Sequence, residues 1–449
     1  MGDLQAIPKS QMSDDERVRD FQRKLYRKAK QEEGFRFYVL YDKVRMSHFL
    51  REAYKRCKAN GGSAGADGIT FEDVESYGVE KFFGEIIEEL ENKTYEPQPV
   101  LRVYIPKTNG KTRPLGIPVI KDRVVQMSVK LVIEPIFEAD FEDSSYGFRP
   151  RRSAGDAVRE IKERLREGKT EVFDADLSSY FDTIPHKELL RLIGMRISDK
   201  NVLHLIKMWL KAPVIEEGKR GGGKKNKIGT PQGGVISPLL ANIYLHMLDK
   251  AVNRENGVFY KYGITIIRYA DDWVLMAKRI PREALDYLNR LLKKLKLSLN
   301  EDKSKIVKAE EESFDFLGHT ISFSEDLFGR KHKKYWNIEP SKKSQKKVRE
   351  KIGNYLKSNG HKAAEKVANE LNAITRGWIN YFTIRGVTYP NKAKRDLRYY
   401  LFRRLTRYYK RKSQRRSKLC NRGAFKELVN RYGLIDPTKY VPVRQPVKA

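Results

Sequence analysis

Ile264-Thr265-Ile266-Ile267-Arg268-Tyr269-Ala270-Asp271-Asp272-Trp273-Val274-Leu275-Met276 sets two β-branched and aromatic runs around a short acidic centre. That pattern predicts a β-hairpin with two carboxylates at its tip. Adjacent anions repel unless a cation holds them. Strands this apolar are expected to be buried, which raises the cost of leaving the pair unneutralised. A divalent metal answers both demands; a solvated acidic turn is the alternative, and the neighbouring segments decide between the two.

The chain has 449 residues, enough for two or three domains with real cores. Lys and Arg outnumber Asp and Glu by 91 to 58, a formal charge of +33. Such an excess calls for a polyanionic partner, nucleic acid ahead of an anionic membrane surface. No apolar run reaches transmembrane length, and Met1-Gly2-Asp3 begins neither a signal peptide nor a myristoylation site, because Ala6 stands where Ser or Thr is needed. No membrane partner is therefore expected. Two distant cysteines, Cys57 and Cys420, form no disulfide framework and fit a reducing cytosol. The seven histidines show no metal-ligand spacing. Any metal must rest on oxygen ligands, which favours Mg²⁺, with Mn²⁺ as its substitute.

A capping-box pair, Ser13 and Glu16, predicts a helix start, with Val18, Phe21 and Leu25 as its apolar stripe. Asn60 to Gly68 reads as a Gly-rich loop, a plain linker on the simplest view. Val100 to Lys107, an Asn109-Gly110 turn and Thr112 to Pro118 make a basic hairpin, followed by a helix over 121–137. Residues 170–325 alternate strands and helices around a sheet. Beyond Tyr335 the pattern turns helical: Val348, Ile352, Tyr355 and Leu356 mark one face, Val367, Leu371, Ile374, Trp378 and Tyr381 a second, and Leu397, Tyr400, Leu401, Leu405 and Tyr408 a third.

A second acidic strand is Glu171-Val172-Phe173-Asp174-Ala175-Asp176, followed by Leu177. Strand alternation puts Asp174 and Asp176 on one face, so spacing does not choose between them. One carboxylate from here and two from the hairpin would hold a pair of Mg²⁺ ions. Asp182, on the simpler view, is a residue at a helix N-terminus. Between the acidic elements lies Gly229-Thr230-Pro231-Gln232-Gly233-Gly234-Val235-Ile236-Ser237-Pro238, where Ser237 reads as the N-cap and Pro238 as the first residue of a helix. Residues 391–420 carry thirteen basic side chains against the single acid Asp396, with Tyr399, Tyr400, Tyr408 and Tyr409 among them. A charge run this one-sided favours a phosphate backbone over plain solvation.

The ordered set of acidic strand, Gln-Gly-Gly loop and Tyr-Ala-Asp-Asp hairpin resembles the palm of a reverse transcriptase. With Tyr146 to Pro150 and the segment Gly229 to Asp249, the chain is similar over nearly its whole length to the group II intron-encoded reverse transcriptases, or maturases. The resemblance implies an α+β right-hand polymerase: an N-terminal helical extension contacting template and intron RNA (1–90), fingers (91–165), palm (166–330), thumb and helical maturase domain (331–410) and a basic tail (411–449). It implies RNA-directed DNA synthesis with two Mg²⁺ ions, and it selects Asp176, five residues before Phe181, as the metal-binding aspartate. Leu177 would lend a backbone carbonyl to the metal, Asp271 the second main carboxylate and Asp272 a less tightly engaged third. Phe181 would exclude a 2′-hydroxyl, and Gln232 and Gly233 would line the nucleotide pocket. Lys107 and Arg113 of the basic hairpin would grip the triphosphate, Arg113 through its fork of donors. Lys303 would protonate the departing pyrophosphate, and Phe314 to Gly318 would form the primer-grip turn. Arg376, Arg395, Arg398, Arg403, Arg404 and Arg407 are the expected RNA contacts, while Trp378, Tyr381 and Phe382 are expected to pack between helices.

The implied partners are intron RNA, a DNA target or primer and deoxynucleoside triphosphates, in a prokaryotic cytoplasm at the nucleoid. Many relatives continue into an H-N-H endonuclease with paired cysteines. None follows Lys418 here, so priming from an existing DNA end is expected rather than from a self-made nick. The rival readings are a splicing-only maturase and a related polymerase serving phage defence or DNA repair.

Overall fold

The computed structural model describes residues 12–106, 112–216, 224–225, 228–230, 233–325, 334–412 and 418–442. Its strands are β1 (Val100–Pro106), β2 (Thr112–Ile117), β3 (Glu171–Asp176), β4 (Pro213–Glu216), β5 (Lys224–Lys225), β6 (Thr265–Tyr269), β7 (Asp272–Ala277), β8 (Lys305–Lys308), β9 (Phe314–Phe316), β10 (His319–Glu325) and β11 (Lys334–Pro340). The chain divides into two compact units, each drawn from three stretches. Met1–Phe148, Leu177–Gly257 and Leu285–Asn300 make the first, and Arg149–Asp176, Val258–Ala284 and Glu301–Ala449 the second.

In the first unit the helix Asp14–Gln31 starts at the predicted capping box. The Ser13 amide donates to the Glu16 carboxylate (2.9 Å) and the Glu16 amide donates to the Ser13 hydroxyl (3.3 Å). This helix packs against Ile120–Glu138, whose mostly apolar sequence is buried nearly all round. The helix runs one residue beyond the predicted 121–137 at each end. β1 and β2 pair antiparallel from Leu101↔Ile117 to Pro106↔Thr112, with β4 beside β1 in the order β2-β1-β4-β5. The Asn109-Gly110 turn lies outside the described residues.

Two local expectations are corrected. The helix Ser237–Asn253 is capped by Ile236, which offers no side-chain cap, and Ser237 is the first residue of the helix. The chain enters the helix through a bond from the Ser237 amide to the Gly234 carbonyl (3.3 Å), which starts the turn one position early. The Gly-rich loop is also no plain linker. A Cβ on Gly65 would lie 2.6 Å from the Val119 Cα, and the buried Arg123 side chain donates to the Ser63 and Pro118 carbonyls. Gly65 is there because backbone meets backbone.

The first unit also holds a buried polar chain. Trp209 Nε1 donates to Tyr95 Oη (3.0 Å), Tyr95 Oη donates to Asp122 Oδ1 (2.6 Å), and the Gln98 amide donates to Asp122 Oδ2 (2.9 Å). Asp122 is 1% exposed. Burial pushes its carboxyl up to about 6, against the pull of the Tyr95 and Gln98 hydrogen bonds.

The second unit is built on the antiparallel sheet β6-β7-β3-β8. Trp273 to Ala277 of β7 are all buried. The helix Ala154–Arg166, opened by a Ser153–Asp156 capping box, buries Ala157, Val158, Ile161 and Leu165 and packs on β6. The small sheet β11-β10-β9 follows. The helices Lys342–Ser358, Ala364–Phe382, Asn391–Arg411 and Ala424–Tyr432 then close on a core that includes Ile352, Val367, Leu371, Leu401, Leu405 and Leu428. The Leu317-Gly318 turn joining β9 to β10 has positive φ at both residues (+48° and +77°). Tyr381 Oη donates to the Leu317 carbonyl (3.0 Å), and Ser344 Oγ to the Gly318 carbonyl (2.8 Å). Among the described residues no helix is long and apolar enough to cross a membrane.

Asp122→Ala should cost about 1–3 kcal/mol in urea unfolding, because it strands the Tyr95 hydroxyl and the Gln98 amide. The folded carboxyl holds its proton more tightly than the unfolded one, so the advantage of the parent over the variant should shrink as pH rises from about 4 to about 6.

Candidate active site

The hairpin read from the sequence is present: β6 and β7 pair from Thr265↔Met276 to Tyr269↔Asp272, leaving Ala270 and Asp271 as a two-residue turn. Ala270 has φ +57°, a left-handed conformation that costs a non-glycine residue roughly 1 kcal/mol. The fully buried Arg268 offsets part of this cost, since its Nη1 donates to the Ala270 carbonyl (3.0 Å). The role of Arg268 was missed from sequence. Its signal was a cation inside an otherwise apolar strand.

β3 lies beside β7, and the register runs from Glu171↔Ala277 to Asp176↔Asp272. Asp176, the last residue of β3, therefore stands directly across from Asp272, the first of β7. Asp174 faces Val274 on one side and Lys305 of β8 on the other. Like charges directly opposite one another destabilise a sheet. Asp272 keeps an exposed edge, yet its carboxyl is pushed up to about 6, by burial first and then by the charges of Asp271, Asp176 and Asp174, with Lys303 pulling the other way. Asp174 is also pushed up to about 6, by burial foremost, which Lys305 opposes and Asp176 and Asp315 reinforce.

Lys303 Nζ donates to Asp176 Oδ2 at 2.7 Å, and the Asp176 amide donates to Ser304 Oγ at 3.2 Å. A cation is thus already drawn to the carboxylates. Among the described residues no three His, Cys, Asp or Glu side chains converge closely enough to enclose an ion as they stand. The donor chemistry nonetheless fits a divalent ion: hard carboxylate oxygens, mutually repelling and in need of positive charge.

In the first unit Leu177 bridges to Leu299. Phe181 is buried in the short helix Tyr180–Thr183, its ring edge-on to Tyr180 at 5.5 Å, and its carbonyl accepts from the Thr230 amide (2.7 Å). Asp182 lies in the first turn of that helix, as expected. The Gly229 amide donates to the Ile184 carbonyl (2.8 Å), so the loop is tied down at its start. Gly233 has φ +112°, and a Cβ there would overlap the Gly116 carbonyl oxygen and lie 2.9 Å from Leu115 Cδ1. The glycine lets the loop meet β2 backbone to backbone. Arg113 is on β2, opposite Ile105. Lys107 and Gln232 lie outside the described residues. Of the expected RNA contacts, Arg376 lies on the helix Ala364–Phe382, and Arg395, Arg398, Arg403, Arg404 and Arg407 on Asn391–Arg411.

Residues 105–321 match the reverse transcriptase (RNA-dependent DNA polymerase) family, and residues 345–425 match the group II intron maturase-specific domain. Protein YkfC of Escherichia coli is 36% identical over 350 residues, covering 70% of this chain and 90% of its own. The chain belongs to the group II intron reverse transcriptase/maturase family. The group II intron-encoded protein LtrA of Lactococcus lactis is 43% identical over 201 residues, 44% of this chain and 33% of LtrA. A 91 kDa protein in the cob intron of Schizosaccharomyces pombe is 27% identical over 400 residues, 74% of this chain and 49% of that protein. The chain thus spans a third of LtrA and about half of the yeast protein. The expected family, the mixed α+β fold and the pairing of a polymerase domain with a maturase domain are borne out.

Gly233→Ala should free the loop of this maturase from β2. Amide hydrogen exchange at residues 228–230 and 233–236 should accelerate at least tenfold, while exchange in the helix Ile120–Glu138 stays unchanged.

Proposed function

We propose that the protein copies intron RNA into cDNA by extending a DNA 3′ end with deoxynucleotides, and that it binds the same RNA to assist splicing and mobility. The observation that supports this reading is the β3–β7 register, which pairs Asp176 with Asp272, the residue that follows Asp271 of the hairpin turn. Asp176, Asp271 and Asp272, with the Leu177 carbonyl, would hold two Mg²⁺ ions (Mn²⁺ could replace them). When bound, these ions supply activation of the primer 3′-hydroxyl and charge stabilisation at the leaving pyrophosphate.

The remaining roles belong to side chains. Lys303, poised at Asp176, would deliver a proton to the departing pyrophosphate. Phe181, held by packing and by the Thr230 bond to its carbonyl, would present a fixed ring to the sugar and reject a 2′-hydroxyl. Gln232 and Gly233 would line the nucleotide pocket, and Lys107 and Arg113 would grip the triphosphate. The +33 charge supports a nucleoid location through nucleic-acid binding. The domain limits that suit these roles are fingers at 91–165, palm at 166–330 and thumb with maturase domain at 331–410.

Asp271→Ala should lower primer extension on an RNA template by at least 10³-fold while changing intron RNA affinity less than about threefold, since phosphate contacts are spread over many cations. Normal extension by that variant would overturn the assignment. Phe181→Ala should raise ribonucleotide incorporation at least tenfold in a single-nucleotide extension assay; unchanged discrimination would remove Phe181 from the gate.

A further inference from the structure

The helix Asn391–Arg411 carries five aromatic rings on the sequence, and packing sorts them. Tyr400 Oη donates to the Arg349 carbonyl (2.8 Å), Tyr408 Oη donates to the Asn359 carbonyl (2.7 Å), and Tyr409 is buried in the helical core. Those three rings serve the bundle. Tyr399 and Phe402 face outward, 61% and 49% exposed. They line a groove of about 760 Å³ together with Lys394, Arg395, Arg398 and Phe425. That volume lies within the roughly 300–1,000 Å³ of sites that take a small ligand.

The groove is built rather than incidental. Arg398 Nε donates to Asp436 Oδ2 (2.9 Å), and Asp436 also accepts from the Thr438 amide and hydroxyl, so a buried carboxylate fixes the guanidinium over the Phe425 ring (5.6 Å). Phe425 meets Phe402 edge-on at 6.5 Å. Arg403 lies 5.7 Å from the Tyr399 ring centre. Lys394 is the telling residue. It is only 8% exposed, lines the groove, and has no ion-pair partner among the described residues. Desolvation alone lowers its ammonium pKa, with no neighbouring carboxylate to oppose this. A partly desolvated ammonium with no carboxylate partner is costly unless an anion reaches it.

We propose that this groove is a binding site for one or two unpaired RNA nucleotides, with phosphate on Lys394 and Arg395 and bases stacked on Tyr399 and Phe402. The site deepens the RNA-binding role proposed above and rests on it. The anion requirement comes from Lys394, and the requirement for an unstacked base comes from the two open rings. In a duplex the base faces are covered by their neighbours, so aromatic stacking selects single strands.

The test uses the full chain and fluorescence anisotropy with four probes of about 12 residues: oligo-U RNA, the same RNA strand without bases, an RNA duplex and oligo-dT. Tyr399→Ala should weaken oligo-U binding about tenfold. It should leave the salt slope, the abasic strand and the duplex unchanged, and Tyr399→Phe should restore affinity. Lys394→Gln, or Arg395→Gln should the first variant melt early, should lower the salt slope by about one. An equal loss on the abasic strand, a loss confined to oligo-dT, or full oligo-U affinity in the Tyr399→Ala/Phe402→Ala protein would overturn the site. In those cases a steep salt dependence of the parent protein would leave the wider RNA-binding reading standing. A flat salt titration of the parent would sink that wider reading, and this site with it.

Discussion

The pairing of β3 with β7 is the constraint on which the polymerase reading depends. It sets two carboxylates opposite each other at the ends of adjacent strands, an arrangement that costs up to about 1 kcal/mol as a cross-strand pair. The strands bear that cost because β7 buries Trp273, Val274, Leu275 and Met276 behind the acidic end. At roughly 1.5–3 kcal/mol for each large apolar side chain, burial outweighs the repulsion several-fold. Arg268 secures the same arrangement from beneath, holding the carbonyl of a turn residue that would otherwise resist its left-handed backbone. The acidic cluster is therefore imposed by the apolar sheet against the mutual repulsion of its carboxylates. Lys303 partly neutralises them through Asp176, on its exposed side.

Local features were legible in the sequence because their causes are local. The Ser13–Glu16 cap needs only a hydroxyl and a carboxylate three residues apart, and the hairpin needs only two apolar runs around a short centre. The choice between Asp174 and Asp176 was not legible from spacing, since both lie on one face of β3. It depends on where β7 begins, which is a matter of strand register between stretches about a hundred residues apart. The resemblance to maturases supplied the preference for Asp176, and the register pairs that residue with Asp272. Asp174 proves to share the electrostatic field, its carboxyl raised to about 6, which no spacing rule foretold.

The same limit governs the helices. Spacing put Tyr400 and Tyr408 on the inward face, where they bond the carbonyls of Arg349 and Asn359, but it left out Tyr409, whose burial is set by the neighbouring helices. Gly65 and Gly233 were read as loop residues, correctly as to class. Their necessity came from Val119 and Gly116, distant partners whose approach leaves no room for a Cβ. Burial of Lys394 did have a signature, its place three and seven residues before Leu397 and Leu401 of the apolar stripe, but one easily passed over in a chain with 91 cationic residues.

The Leu317-Gly318 turn has a mechanical consequence. Its two carbonyls are gripped by hydroxyls from two different helices, Tyr381 on one and Ser344 on the other. Two anchors on separate levers leave the turn no slack of its own. Any rotation of either helix would have to carry the turn along or break one of these hydrogen bonds, which couples the tip of this small sheet to the bundle.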